Sequence, residues 1–128
     1  MRFLLDTCTF LYFLNDAPEL SSNARIAIIQ PKHDIYLSPL SAWEISRKWS
    51  KSALRLPGHP SVVIPAARRT AGFEELPLTE QDALLAEKLP QIHKDPIDRM
   101  LMAQALNHNL TILTPDKIFE SYPVRISW

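Results

Sequence analysis

A single cysteine, Cys8, leaves no partner for an internal disulfide and fits a reducing compartment. No histidine and cysteine set falls at zinc-site spacing, so a structural zinc module is set aside. Charge of one sign is also lacking. With 14 basic and 14 acidic residues the net charge is zero, so any basic surface must be local and balanced by an acidic one. No apolar run is long enough to cross a bilayer. The run from Arg2 to Leu14 is interrupted by Asp6 and followed by no small-residue cleavage site. It reads as a buried strand feeding a helix, in a cytoplasmic protein. Internal repeats, low-complexity segments and linkers are absent, and residues 1–128 are expected to form one domain. At 46% apolar and 22% charged residues, the composition is that of an ordered globular chain.

What is present alternates. Phe3-Leu4-Leu5, Ile35-Tyr36-Leu37 and Thr111-Ile112-Leu113 are short continuous apolar runs, the mark of strands buried on both faces. Phe73 to Leu78 and Val124-Arg125-Ile126 are further predicted strands. Between them lie helix signals. Asp6-Thr7 caps a helix carrying Phe10 to Leu14, Ser21-Ser22 opens one ending before Pro31, and Ser38-Pro39 opens one through Trp49. Residues 52–60 form a proline-bearing loop that includes Gly58, one of two glycines. Residues 61–71 look helical, with Pro65 either restarting or bending the helix. Thr79 to Asp82 begins another helix. Asp95-Pro96-Ile97-Asp98 begins a long one, running to about Asn107 with Asn109 as a left-handed stop, and Thr114-Pro115-Asp116 starts a short last one. Alternating strands and helices argue for an α/β layer fold around a mainly parallel sheet.

In such sheets, ligands bind beyond the carboxyl ends of the strands. Asp6 directly follows the first strand, Asp116 follows Thr111–Leu113, Glu44 lies about two turns into the helix after Ile35–Leu37, and Asp95 and Asp98 open the long helix. Parallel strands would bring several of these acids to one edge. Gathered carboxylates repel one another, and a divalent cation removes that cost. Oxygen-only ligands suit Mg²⁺ or Mn²⁺, and a cation so held assists phosphodiester hydrolysis. Each acid also has a plainer role. Asp6, Asp95, Asp98 and Asp116 stand where acids stabilise helix starts, and Glu44 is either on a solvent face or partnered. Thr7, Ser41 and Thr114 are caps or first-turn residues that could also orient the acids. Cys8 is expected in the core, and His93, beside Asp95, is expected to be a loop histidine in preference to a pH-sensitive neighbour of the acids.

Leu4-Leu5-Asp6-Thr7, Ser41-Ala42-Trp43-Glu44-Ile45, His93-Lys94-Asp95-Pro96-Ile97-Asp98-Arg99 with Leu101-Met102-Ala103-Gln104-Ala105, and Leu113-Thr114-Pro115-Asp116 come in a characteristic order. Together they resemble the PIN-domain ribonucleases, and among them the VapC toxins of bacterial toxin–antitoxin pairs, over essentially the whole chain. The resemblance implies a three-layer α/β/α sandwich and a Mg²⁺- or Mn²⁺-dependent endoribonuclease. It assigns the catalytic acids to Asp6, Glu44, Asp98 and Asp116, with Asp95 as cap or outer metal ligand. It also implies a homodimer, a cognate antitoxin whose C-terminal segment covers the cleft, and a structured RNA substrate such as transfer RNA. Cys8, Ile97 and Pro115 depart from the family's commoner residues but leave the carboxylates in place.

Arg47, Lys48, Lys51 and Arg55 form the densest basic run and, with Arg99, are the candidate RNA contacts, against the alternative of a solvated helix face. Trp43 and Trp49 share no clear exposed face, so base stacking is not assigned to them. Two other readings stand beside the nuclease. One is a non-catalytic RNA- or protein-binding module on the same scaffold. The other is an aspartyl-phosphate phosphohydrolase, disfavoured because Cys8 stands where a second aspartate is usual.

Overall fold

A computed structural model describes residues 1–128. Strand β1 (Arg2–Leu5) leads to helices α1 (Thr7–Leu14) and α2 (Ser22–Ile29), then β2 (Asp34–Leu37) and α3 (Pro39–Ser50). Helix α4 (Pro60–Ala71), strand β3 (Glu74–Glu75) and helices α5 (Glu80–Lys88) and α6 (Pro96–His108) follow. Strand β4 (Thr111–Leu113), a 3-10 helix (Lys117–Ser121) and β5 (Arg125–Ser127) close the chain. All strands are parallel, in the order β3-β2-β1-β4-β5. None of the helices is long and apolar enough to cross a membrane.

The sheet is covered on both faces, which explains the unbroken apolar runs Phe3–Leu5, Ile35–Leu37 and Ile112–Leu113 of its inner strands. Side chains alternate along a strand. Phe3 and Leu5 therefore join Phe10, Ile28, Ile45 and Ile64 under α1–α4, while Leu4 joins Leu101, Met102, Ile112 and Phe119 on the other side. Helices on both faces of a parallel sheet make the expected three-layer α/β/α sandwich.

One element differs from the sequence reading, and a second narrows it. The predicted strand from Phe73 to Leu78 shrinks to Glu74–Glu75. It is an edge strand, paired only to β2, and Pro77 has no N–H to extend the ladder. Phe73 and Leu76, which made the run look like a longer strand, are core residues on either side of it. Of the two roles open to Pro65, restarting the helix falls away, because α4 runs through it from Pro60 to the left-handed cap Gly72.

Strand order places the site. The chain moves from β1 outward to β2 and β3, then crosses back to β4 on the other side of β1. The neighbours β1 and β4 thus lie at a switch point, where helices depart in opposite directions and leave a crevice beyond the strand ends. Asp6 follows β1 at this crevice, and Thr114 follows β4.

Candidate active site

Asp6 is the N-cap of α1, with its side chain accepting from the Thr7 N–H at 2.7 Å. The parallel register pairs Leu5 with Leu113, so the next residue of each strand also meets. Thr114 Oγ1 donates to Asp6 Oδ2 at 2.8 Å, and Cys8 Sγ donates to the same oxygen at 3.5 Å. Asp6 is nonetheless 6% exposed, and burial raises its pKa against the lowering effect of these donors, with a further upward push from Glu44.

Thr7 Oγ1 donates to Ser41 Oγ at 2.9 Å, tying the start of α1 to the first turn of α3. Ser41 and Glu44 are three residues apart on that helix and share a face. Glu44 is thereby turned towards Asp6, with 18% of its side chain exposed and the Lys48 ammonium 3.8 Å away. The plainer role of a freely solvated acid does not describe this placement.

Asp95 and Asp98 divide the work at the start of α6. Asp95 caps the helix, its Oδ1 accepting from the N–H groups of Ile97 at 2.9 Å and Asp98 at 3.4 Å. Asp98 lies one turn in, and its Oδ2 is 2.8 Å from His93 Nε2. Burial raises the Asp98 pKa to about 7, with Asp6 and Asp95 adding repulsion and His93 opposing them. His93 is therefore a partner of Asp98, the pH-sensitive neighbour that the sequence reading placed second to a loop histidine. The sequence signal was there, since His93 lies five residues before Asp98 in the turn that feeds the helix. Removing the imidazole deletes an interaction that favours the carboxylate. His93→Ala is expected to move the ascending limb of a pH–cleavage profile to higher pH. A limb displaced by one pH step of a full decade in proton activity means about tenfold less cleavage at a given pH. A profile unchanged between about pH 5 and 8 would show that the pair has no bearing on Asp98.

Asp116 stands apart from the other acids. It is exposed, and its Oδ1 caps the 3-10 helix through the Ile118 N–H at 3.1 Å. Its own N–H donates to Thr114 Oγ1 at 3.0 Å, so one hydroxyl links Asp116 to Asp6. Its charge is felt at Cys8, whose thiol burial and the neighbouring Asp6 push up to about 12. Cys8 is thus half-buried at the rim of the site, a correction to its expected core position, and it acts as a protonated donor to Asp6. Thr9, which carries no motif of its own, donates from Oγ1 to Leu113 O at 2.8 Å and fastens α1 to the end of β4.

Arg99 corrects a second expectation. It is 6% exposed, and its guanidinium donates to the carbonyls of Ala86 at 2.7 Å, Leu89 at 3.1 Å and Pro90 at 2.7 Å, with longer contacts to His93 O and Tyr122 Oη. Its donors are engaged by the turn between α5 and α6, and buried there they are out of reach of a phosphate. Arg47, Lys48, Lys51 and Arg55 are exposed.

Glu44 thus acts on Asp6 electrostatically, and Asp6 and Asp95 act on Asp98. Lys48 is the one lysine or arginine within ion-pair distance of these acids, and it touches Glu44 alone. No lysine serves Asp6, as an aspartyl-phosphate chemistry would ask. His93, Asp95 and Asp98 offer ligand atoms all within 4.8 Å of one another. This half-buried set of carboxylate oxygens, with one imidazole beside it and no lysine or arginine partner, fits a divalent cation.

The family model for the PIN domain matches residues 3–124. The chain belongs to the PIN-domain family. PIN domains of VapC toxins are typically nucleases, so a hydrolase is the coarse assignment. No curated protein is significantly similar in sequence. Among solved structures, a chain of VapBC2 from Rickettsia felis, bound to a DNA fragment from its promoter, is similar with a TM-score of 0.75 at 16% identity, covering 99% of this chain and 98% of that one. A chain of DNA-bound VapBC from Salmonella typhimurium has a TM-score of 0.67 at 23% identity, covering 99% and 97%. A chain of a toxin–antitoxin complex from Klebsiella pneumoniae has a TM-score of 0.67 at 16% identity, covering 98% and 95%. These likenesses extend over the whole PIN domain and concern its fold.

Proposed function

We propose that this PIN domain is a divalent-metal-dependent endoribonuclease, the toxin of a cytoplasmic toxin–antitoxin pair. The observation that carries the reading is a pair of acids at the switch point, the buried Asp6 and the half-buried Asp98, with raised pKa values and no lysine or arginine partner. The cost of gathering such groups is offset when a cation binds them. Asp6 and Asp98 would hold Mg²⁺ or Mn²⁺, with Asp95 and Asp116 as outer acids. The bound cation supplies charge to offset that growing on the phosphodiester and to acidify the attacking water.

The chain's own residues prepare this chemistry. Thr114 and the Thr7 N–H orient the Asp6 carboxylate. The Thr7–Ser41 bond fixes α3, so that Glu44 faces the same point, and its partial exposure lets it pass a proton to solvent. His93 keeps Asp98 poised towards ionisation. Arg47, Lys48, Lys51 and Arg55 supply a basic rim for the RNA backbone. The partner would be an antitoxin segment covering the cleft, and the working unit a homodimer. The toxin–antitoxin complexes among the structural neighbours support the partner assignment.

The test is cleavage of total cellular RNA, including transfer RNA, by the purified protein with Mg²⁺ or Mn²⁺, with a chelator, and after the metal is restored. Cleavage in the metal arms alone is the expected result. Equal cleavage in chelator, or none in any arm, overturns the reading and leaves the non-catalytic binding module.

A further inference from the structure

His93 is placed for more than hydrogen bonding. Its Nε2 lies 2.8 Å from Asp98 Oδ2, and a ligand atom from each of His93, Asp95 and Asp98 falls within 4.8 Å of the other two. Two donor atoms side by side on one octahedral cation, each about 2.0–2.2 Å from it, stand roughly 2.8–3.1 Å apart. His93 Nε2 and Asp98 Oδ2 already have that separation. Directing the ring's lone pair onto a cation shared with Asp98 asks for a turn of the imidazole, not for movement of the backbone. Donors on opposite sides of such a cation stand about 4.0–4.4 Å apart, so even the widest pair has only a few tenths of an ångström to close.

The three donors are fixed and open to solvent. The His93 N–H donates to Tyr122 Oη at 2.7 Å, and its carbonyl accepts from the buried Arg99, so the turn that carries the imidazole is anchored on the core. Asp95 Oδ1 is taken up by the first N–H groups of α6, while its Oδ2 has no hydrogen bond or ion pair within the protein. The side chains of His93 and Asp98 are 26% and 13% exposed, which leaves a path for a cation and room for the waters it keeps. Lys94, next to His93 in the chain, is exposed and pairs with none of the three. Asp6 is not of this group. Asp98 is thus common to two sets of donors, one with Asp6 made only of oxygen and one with a ring nitrogen.

We propose that His93 is a metal ligand, and that with Asp95 and Asp98 it forms a mixed nitrogen–oxygen site that takes a first-row transition cation in preference to Mg²⁺. The proposal rests on the divalent-metal part of the reading above and adds the choice of cation to it. The choice follows from the donor. Mg²⁺ is held through oxygen and gives up its waters reluctantly, whereas an imidazole nitrogen suits the transition cations. Ligation needs Nε2 without its hydrogen, so the ring keeps its hydrogen on Nδ1. The proton between Nε2 and Asp98 Oδ2 passes to solvent as the cation enters.

The test uses the whole protein loaded with Mn²⁺, which binds most weakly of the series and is therefore the strictest probe. Pulsed electron paramagnetic resonance reads whether a nitrogen is bound to the ion. Wild type is expected to show the nitrogen coupling of one ligated imidazole, and to keep it in a large excess of Mg²⁺. His93→Gln retains an amide that can donate to Asp98 and lacks the ring nitrogen. It is expected to lose the coupling and, in calorimetry, to bind Mn²⁺ at least about tenfold more weakly, since even an outer-sphere change at a metal costs about 10–100-fold. Its Mg²⁺ affinity is expected to change little, whereas a role confined to hydrogen bonding would weaken both cations alike. Asp95→Asn keeps the helix cap and removes one carboxylate, so it is expected to weaken Mn²⁺ binding and keep the coupling. The wild-type spectrum decides the question even where a variant fails to fold. Mn²⁺ bound to wild type without nitrogen coupling, or equal losses of Mn²⁺ and Mg²⁺ affinity in His93→Gln, overturns the proposal. If RNA cleavage is metal-dependent in that case, only the assignment of His93 falls. If wild type binds neither cation and cleaves nothing, the divalent-metal reading falls first and takes the proposal with it.

Discussion

Asp6→Asn is expected to abolish metal-dependent RNA cleavage and, at the same time, to raise the melting temperature of the metal-free protein. The two effects share one cause. The Asp6 carboxyl is buried, and its pKa is raised mainly by that burial and further by Glu44. A carboxyl whose pKa is higher in the folded than in the unfolded state contributes stability that is complete at low pH and lost as pH rises through the folded value. At neutral pH the metal-free protein therefore carries a native-state penalty at this site. Asparagine removes the charge and keeps the shape. It caps a helix as well as aspartate does, so the bond from the Thr7 N–H survives. Its amide can donate to Thr114 Oγ1, whose hydroxyl has two lone pairs and already accepts from the Asp116 N–H. A gain of roughly 0.5–2 kcal/mol is expected, with a rise of about 2–8 °C for each kcal/mol.

Function moves the other way. A neutral amide does not replace a carboxylate as a cation ligand, and cleavage is expected to fall at least about 100-fold. Adding Mg²⁺ or Mn²⁺ is expected to stabilise wild type by about 2.7 kcal/mol at 100-fold excess over Kd, and the variant much less. The stabilisation of wild type should fade towards acid pH, because protons compete with the cation for Asp6 and for Asp98, whose pKa lies at about 7. Thermal unfolding with and without metal, at pH values on both sides of 7, checks each part. A variant that cleaves RNA like wild type, or that melts lower without metal, would show that Asp6 is a structural cap and no more.

Arg99→Met is expected to cost about 2–4 kcal/mol of stability, since buried carbonyls left without a donor cost about 1–3 kcal/mol each and partly find other partners. Methionine fills much of the same space, so the effect isolates hydrogen bonding from packing. The guanidinium serves the carbonyls of Ala86, Leu89 and Pro90, and it reaches His93 O and Tyr122 Oη. Tyr122 Oη in turn donates to Pro90 O at 2.9 Å and accepts from the His93 N–H at 2.7 Å. These bonds hold the turn that carries His93 and Asp95. Arg99→Lys is expected to recover only part of the loss, since three donors on a point charge do not match the five of a planar fork. Urea unfolding gives the measurement, with Lys51→Ala, an exposed position, expected to stay within about 0.5 kcal/mol of wild type. Unchanged stability with weakened RNA binding would return Arg99 to the phosphate-contact group.

These two residues show where local sequence rules suffice and where they stop. Capping is decided within a few residues, so Asp6, Asp95 and Asp116 could be placed at helix starts before any fold was known. Short apolar runs bounded by caps and prolines likewise mark the inner strands, because a strand buried on both faces has no polar side to show. Phe73–Leu78 was harder, since its large apolar residues belong to the core on either side of a two-residue edge strand. Arg99 was beyond such rules. A basic residue next to an acidic motif looks the same whether it meets phosphate or the carbonyls of a turn that ends one helix earlier.

By itself, then, the sequence determined the alternation of strands and helices, the α/β class and the positions of the acids relative to strand ends, since each depends on neighbours a few residues away. The tertiary structure decided which of those acids meet. It joined Asp6 to Thr114 across β1 and β4, set Glu44 towards Asp6 through Thr7 and Ser41, paired His93 with Asp98, and left Asp116 exposed at the rim. It also buried Arg99 and exposed Trp43. Each of these depends on residues brought together by sheet order and helix packing, and burial, which sets the carboxyl pKa values, exists only once the layers have closed over the sheet.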